Sequence, residues 1–461
     1  MQHMPRTQVF LKIFAIGLFA TLVLTGCGGG SSPSSADESG NTDSACTLTA
    51  EKTWVRAHLD DVYLWYREIN EVSPSNFRSP VDYFQALLVR TRDHFSFAES
   101  QAVIDAYFQS GDVVGYGATY VRTSDNRLQI AYAEVNSPAF VQHMDRGTVI
   151  VNIDGVPEGR MSKSAFSAAL FPAKIGEAHS FDVLDPGAVV LRKVTLAAVA
   201  VTGTPVLRQQ VITSDSGKKV GYLVFNDHVA SAEAPLADAI ELFKTAGVED
   251  LVLDVRYNGG GYLYIASELA YMIAGAPVRD KVFEKLMFND KHPEQTNDPA
   301  NSIPFYDSDS KNAPLPTLGL RRVFVLTGAG SCSATESIIN GLRPFVNVVT
   351  IGGITCGKPY AFRQANHCGT AYFAIQMEGI NAVGGGGYIN GIAPTCAAGD
   401  DLDHAFGDVN ERLLHTALAY QTSGACPASG LTQASSALYA PAAVHEVARP
   451  PWREMRLPFG R

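Results

Sequence analysis

The chain has 461 residues, 46 % hydrophobic and 18 % charged, which is enough apolar material for two or three packed domains and excludes disorder throughout. Its 36 Lys and Arg stand against 46 Asp and Glu, a formal charge of -10. The basic residues form no cluster of the kind that tracks a phosphate backbone, which excludes nucleic acid as a partner.

Arg6 and Lys12 precede an apolar run over residues 13–24 that ends in Leu24-Thr25-Gly26-Cys27. A spanning helix needs roughly 20 apolar residues, so this shorter run is read as an export signal over 1–26. Its ending resembles the lipobox of bacterial lipoproteins. That resemblance implies cleavage before Cys27, acyl chains on Cys27 and a lipid bilayer as partner. Gly28 stands where Asp favours the inner membrane in that family, implying a lipid-anchored envelope protein of the outer membrane facing the periplasm. Residues 27–45, rich in Gly and Ser, form a flexible tether.

The expected fold is multidomain α/β. Residues 46–110 are predicted to be a helical N-terminal domain: Trp54, Leu59, Val62, Tyr63, Trp65 and Tyr66 share one helical face, and further helices cover 80–92 and 98–109. Residues 112–195 are β-rich, with strands at 129–132, 148–153 and 188–193. Here Gly115-Tyr116-Gly117 opens the segment, and Ser137-Pro138-Ala139 leads to Arg146-Gly147-Thr148 and an Asp154-Gly155 turn. This pattern resembles a PDZ domain, which implies that Gly115, Tyr116 and Gly117 offer backbone N–H groups to a peptide's terminal carboxylate.

Residues 211–424 alternate strands (220–226, 250–255, 322–327, 348–351, 371–376) with helices (235–246, 262–273, 410–420), as an α/β core does. The polar stretch 290–316 is expected on the surface. Residues 425–461 are a loosely packed C-terminal tail. Cys46, Cys332, Cys356, Cys368, Cys396 and Cys426 are an even set in an exported body, and disulfides follow. Cys46 and Cys426 are expected to clasp the two ends, while the other four brace one region. No pair has zinc-site spacing, and neither metal nor cofactor is implied.

The densest polar signal is Ser331-Cys332-Ser333-Ala334-Thr335-Glu336, between a strand and an apolar helix. A serine at such a turn lies at the positive end of a helix, where N–H groups can hold an oxyanion; it reads equally as a helix N-cap. Lys358, in Gly357-Lys358-Pro359, follows 25 residues later, ample for an α/β crossover. Lysine replaces histidine as base where burial leaves it neutral.

With Asp254-Val255-Arg256-Tyr257-Asn258-Gly259-Gly260-Gly261, these motifs resemble in order those of the carboxy-terminal processing, or tail-specific, serine proteases, in which a helical region and a PDZ domain precede the catalytic core. The resemblance implies Ser333 as nucleophile, Lys358 as base and the backbone N–H groups of Gly260 and Ala334 as the oxyanion hole. It also implies protein or peptide substrates, taken by their C-termini or unfolded segments. The family's lysine-orienting Gln is replaced by Phe362, leaving Gln364, Gln376 or an all-backbone environment for Lys358 as substitutes. Cys332 is either a disulfide partner of Cys356 or a small buried apolar residue. His367, His404 and His415 are the histidines of a rival Ser-His-Asp reading. A catalytically inactive peptide-binding or scaffold lipoprotein of the same architecture is the alternative to the enzyme.

Overall fold

The computed structural model describes residues 46–427 and two short tail strands, His445–Glu446 and Arg456–Leu457. The expected signal 1–26, Cys27, the tether up to residue 45 and most of the tail lie outside the described residues. No helix among the described residues is long and apolar enough to cross a membrane.

The first helix, Leu48–Val62, starts at Thr47, whose hydroxyl accepts the Ala50 N–H. It buries Val55 and Leu59. Trp65 and Tyr66, expected on the same helical face, come after its end, Tyr66 opening a separate 3-10 turn. The second helix, Pro80–Leu87, is capped by Ser79 and uses Pro80 where no N–H is needed. The third begins at Gln101, three residues later than expected, because Phe97–Ser100 is a strand paired antiparallel with Thr370–Phe373. Leu59, Phe84 and Phe97 therefore share one apolar cluster with Phe362, Tyr372 and Phe373. The helical region and the residues just past Lys358 are built on a common core.

In the middle region the strands Ala118–Arg122, Leu128–Ala133, Val149–Ile153, Ala178–Leu184 and Arg192–Ala197 lie side by side in that order. The strand expected at 188–193 begins only at Arg192. Val189 and Val190, 94 % and 75 % exposed, belong to the preceding turn, so their apolar character has no packing partner. A helix over Lys163–Leu170, capped by Ser162, was not anticipated.

The core sheet runs Lys219–Phe225, Asp250–Asp254, Arg322–Thr327 and Asn347–Gly352 in parallel, with Val206–Thr213 antiparallel at one edge and Cys396–Ala397 at the other. Strands covered on both faces read as unbroken apolar runs, and residues 323–326 are wholly buried. Every residue of the helix Leu263–Ala274 is buried. The strand expected at 371–376 divides between two sheets: Thr370–Phe373 serves the N-terminal region, whereas Ile375–Ile380 pairs with Val282–Phe288 and Tyr360–Phe362. The stretch 290–316 is not purely superficial, since it sends Ile303 and Phe305 into the main core.

Three disulfides cross-link the body: Cys46–Cys368, Cys332–Cys356 and Cys396–Cys426. The expected clasp between Cys46 and Cys426 is corrected. Each end is held to a different part of the core, because pairing requires Cα atoms roughly 4.4–6.8 Å apart, which sequence position does not reveal. Alkylation under denaturing, non-reducing conditions should therefore find none of these six thiols reactive; modification of all six would overturn the three pairings.

Candidate active site

The strand Arg322–Thr327 runs into a loop tied down before it reaches Ser333. The Ser331 hydroxyl accepts the Gly328 N–H at 3.0 Å and donates to the Val255 carbonyl at 2.8 Å, and Cys332 N–H donates to Asn258 O at 3.0 Å. The chain then turns sharply. Ser333 has φ 64° and ψ -117° and directly precedes the helix Ala334–Leu342. A side chain other than glycine occupies that conformation at a cost on the order of 1–3 kcal/mol, sustained only where the surroundings impose it. Ser333 is wholly buried and its Oγ has no hydrogen-bond partner among the described residues. Ser333 holds the N-cap position of that helix, and Glu336 three residues on accepts its backbone N–H.

Lys358 lies beyond the strand Asn347–Gly352, also wholly buried. Gly357 before it has φ 85°, and a Cβ there would come within 2.5 Å of the Ile389 carbonyl oxygen, so only glycine fits. Lys358 Nζ is 4.3 Å from the centre of the Phe362 ring and 4.9 Å from that of Phe95.

Glu336 brings the two loops together. One carboxylate oxygen accepts both the Ser333 N–H and the Lys358 N–H, each at 2.9 Å; the other accepts Gly357 N–H at 2.9 Å and the Thr355 hydroxyl at 2.5 Å. The backbone nitrogens of nucleophile and base candidates are thus within two hydrogen-bond lengths of one another. Burial raises the Glu336 pKa, opposed by these four donors. The Cys332–Cys356 disulfide ties the same two loops covalently, which settles the role of Cys332. Its sulfurs being bonded to each other, the Cys332, Glu336 and Cys356 group is a cross-link and not a metal site. Glu336 was part of the sequence motif, but its task is long-range and no local pattern announces it.

The segment after Asp250–Asp254 completes the floor. Arg256 makes ion pairs with Asp254, Asp400 and Glu411, all at 2.7 Å, and Arg146 reaches Asp400 at 2.7 Å. Asn258 Oδ1 accepts His228 Nδ1–H and Gly260 N–H, each at 2.9 Å. Burial holds His228 neutral, its pKa lowered to about 3 against the pull of its hydrogen bonds. His228 escaped the sequence reading because only the fold carries it to this loop.

Several expected placements change. Gly260 N–H was expected to face an oxyanion, and in this state it is spent on Asn258, whose amide oxygen sits two residues away. Ala334 is the first residue of the helix Ala334–Leu342, at the positive end expected of an oxyanion donor. The Gln364 amide donates to Asp105 and Asn366, and that of Gln376 to the Arg363 carbonyl, so neither amide nitrogen serves as the expected orienting group. His367 stacks on Trp54 in the N-terminal cluster, and His404 bonds Asp401. Tyr116 is a core side chain packed edge-on against Phe181, and the Tyr116 and Gly117 carbonyls accept from Ala139 and Glu134. Gly115 closes the strand Asp112–Gly115, paired with Val199–Thr202.

A strained, buried serine at the head of a helix is thus joined through Glu336 to the loop of a buried lysine beyond the neighbouring parallel strand of an α/β core. Residues 219–397 match the model of peptidase family S41, and residues 50–97 that of the peptidase S41 N-terminal domain. The chain is 25 % identical over 250 residues to a carboxyl-terminal-processing protease of Synechocystis, covering 54 % of each chain. It is 26 % identical over 162 residues to one of Picosynechococcus, covering 35 % of this chain and 38 % of that protein. The matches thus span about half or less of those relatives' lengths. A crystal structure of a Bacteroides fragilis chain described as an S41 protease superposes with a TM-score of 0.65 at 28 % identity, over 80 % of this chain and 97 % of that one. Residues 50–97 and 219–397 thus carry the two peptidase S41 domains, and over part of its length the chain is similar to carboxyl-terminal-processing proteases.

Proposed function

We propose that the chain is a serine endopeptidase acting on exported proteins or peptides through Ser333 and Lys358. The observation that carries this reading is the strained Ser333 turn with its unpartnered Oγ, pinned to the Lys358 backbone by Glu336. The Lys358 amine, neutral when it acts, takes the Ser333 proton, and Oγ attacks the peptide carbonyl. The Ala334 N–H receives the oxyanion; Gly260 N–H joins it by exchanging Asn258 for the substrate oxygen. The protonated lysine then gives its proton to the leaving amine, and water hydrolyses the acyl-enzyme. Phe95 and Phe362 keep water from the amine where the family uses Gln.

The middle region is read as the PDZ-like module that receives a substrate's C-terminus or an unfolded segment. The lipobox supports anchorage through Cys27, which leaves the body at an envelope membrane facing the periplasm. A catalytically silent binding lipoprotein has no use for strain at Ser333. Reaction with a small fluorophosphonate followed by peptide mapping tests the reading. The expected result is a single adduct on Ser333; a chain that binds peptide yet is labelled nowhere, even after prolonged exposure, overturns it in favour of the binding protein.

A further inference from the structure

The glycine run 384–387 lies in a segment that is tied at one end to the helix of Ser333 and at the other to the loop of Lys358. Near its start, the Asn381 side chain accepts the Val383 N–H at 3.1 Å and the Gly385 N–H at 2.8 Å, and donates to the Asn340 carbonyl at 3.0 Å. The Asn340 amide in turn donates to the Gly385 carbonyl at 2.9 Å. Asn340 belongs to the helix Ala334–Leu342, which Ser333 heads. Near its end the segment meets Thr355. The Thr355 N–H donates to the Ile392 carbonyl at 3.2 Å, and the Ile392 N–H donates to the Thr355 hydroxyl at 2.6 Å. Gly391 has φ 81°, and a Cβ there would overlap the Thr355 carbonyl oxygen, so an approach this close requires glycine.

The Thr355 hydroxyl also lies 2.5 Å from a Glu336 oxygen. Chemistry fixes its part in each bond. A backbone N–H can only donate, so the hydroxyl accepts from Ile392, and its one proton goes to the carboxylate. Glu336, Thr355 and Ile392 are all buried. A hydroxyl polarised by an N–H behind it donates more strongly to a charged acceptor in front of it. The same carboxylate holds the Ser333 and Lys358 N–H groups. A continuous line of hydrogen bonds therefore runs from Ile392 through Thr355 and Glu336 to the nucleophile and base candidates.

We propose that Thr355 is a positioning residue for Ser333 and Lys358, passing the seating of residues 381–392 to Glu336. The inference deepens the peptidase reading and rests on it for its catalytic consequence. Without the hydroxyl, Glu336 loses one of four donors, and the buried Ile392 N–H loses its acceptor at Thr355. The carboxylate is then free to turn, and the two N–H groups that it holds shift against each other. Because a misplacement of about 1 Å costs roughly 100-fold in rate, a loss of about 10- to 100-fold in kcat is expected. Thr355 is buried beneath the site, so the loss falls on kcat and leaves KM unchanged.

The test uses three full-length variants. Thr355→Val keeps the side-chain shape and removes the hydroxyl, Thr355→Ser keeps the hydroxyl, and Gly391→Ala pushes Ile392 away while Thr355 stays intact. In Thr355→Val, kcat for an unstructured peptide should fall about 10- to 100-fold at constant KM, with the rate of fluorophosphonate labelling of Ser333 falling in parallel. Thr355→Ser should regain most of both. Gly391→Ala should reproduce the Thr355→Val loss, and combining the two should add little, since both break one line of contacts. Amide hydrogen exchange over residues 331–337 and 354–358 should be faster in Thr355→Val and Gly391→Ala, but not in Thr355→Ser. Should Thr355→Val or Gly391→Ala fail to fold, the other is compared with Thr355→Ser. Wild-type kcat in the folded variants, a loss carried by KM alone, or a Thr355→Ser chain as slow as Thr355→Val overturns the inference. Exchange that follows the expected pattern, with no hydrolysis or labelling in any form including the wild type, supports the positioning role and sinks the peptidase reading; unchanged exchange in that case overturns both.

Discussion

Ser333→Ala and Lys358→Ala are each expected to lower kcat for peptide hydrolysis by on the order of 10⁴-fold or more, with the far-UV circular dichroism unchanged. Loss of the nucleophile leaves no acyl-enzyme. Loss of the amine leaves a hydroxyl that nothing deprotonates. Lys358→Arg should be as inactive as Lys358→Ala, because guanidinium stays charged throughout the accessible pH range. The double variant should be scarcely worse than either single one, since groups that act as a unit do not contribute additively. Near-native hydrolysis by a folded Lys358→Ala chain would falsify the dyad. It would direct attention to His228, whose Nε2 is buried without a partner beside Asn258.

The largest expected loss of stability comes from Arg256→Met. Its guanidinium makes close ion pairs with Asp254, Asp400 and Glu411, all four groups at or near full burial. Desolvation opposes the charge on Arg256, yet the three carboxylates outweigh it and hold its pKa above the ordinary arginine value. Removing this cation leaves Asp400 with Arg146, and Asp254 and Glu411 with hydrogen bonds from the Tyr222 hydroxyl and the Leu414 N–H. Breaking a buried ion network by deleting one partner costs about 3–5 kcal/mol, a large share of the 5–15 kcal/mol that holds a typical domain together. Urea titration should show that loss, and a change under about 1 kcal/mol would mean that the network is not a structural one.

The same network fixes a pH dependence. Burial works against ionised Asp400, but Arg146 and Arg256 overcome it and hold its pKa well below the ordinary carboxylate range. A depressed carboxylate pKa contributes stability that is present above the unfolded value and lost as the pH falls toward the folded one. The wild-type chain should therefore lose stability steeply in acid, and Asp400→Asn should flatten that slope.

What could be read from residues alone follows the range of the interactions. Ser333 and Lys358 were legible because the strand, turn and helix that present them are consecutive, and because 25 residues allow one crossover. Glu336, His228 and Asn258 were not, since their partners come from separate strands and their task exists only after the sheet is assembled. The apolar run 371–376 shows a different limit. Its composition suits a strand throughout, but nothing in it marks the change of sheet after Phe373. Disulfide partners were open for the same reason, and the Cys46–Cys368 bridge could be assigned only by proximity across the fold.

The Cys332–Cys356 bridge couples the candidate site to the thiol chemistry of its surroundings. In a thiol-reducing compartment the bridge is open, and the loops of Ser333 and Lys358 are held in register by one buried carboxylate. Once oxidised, they are welded. The geometry of the candidate site is therefore tied to the redox poise around the chain, with reduction leaving the register of Ser333 and Lys358 to that one carboxylate.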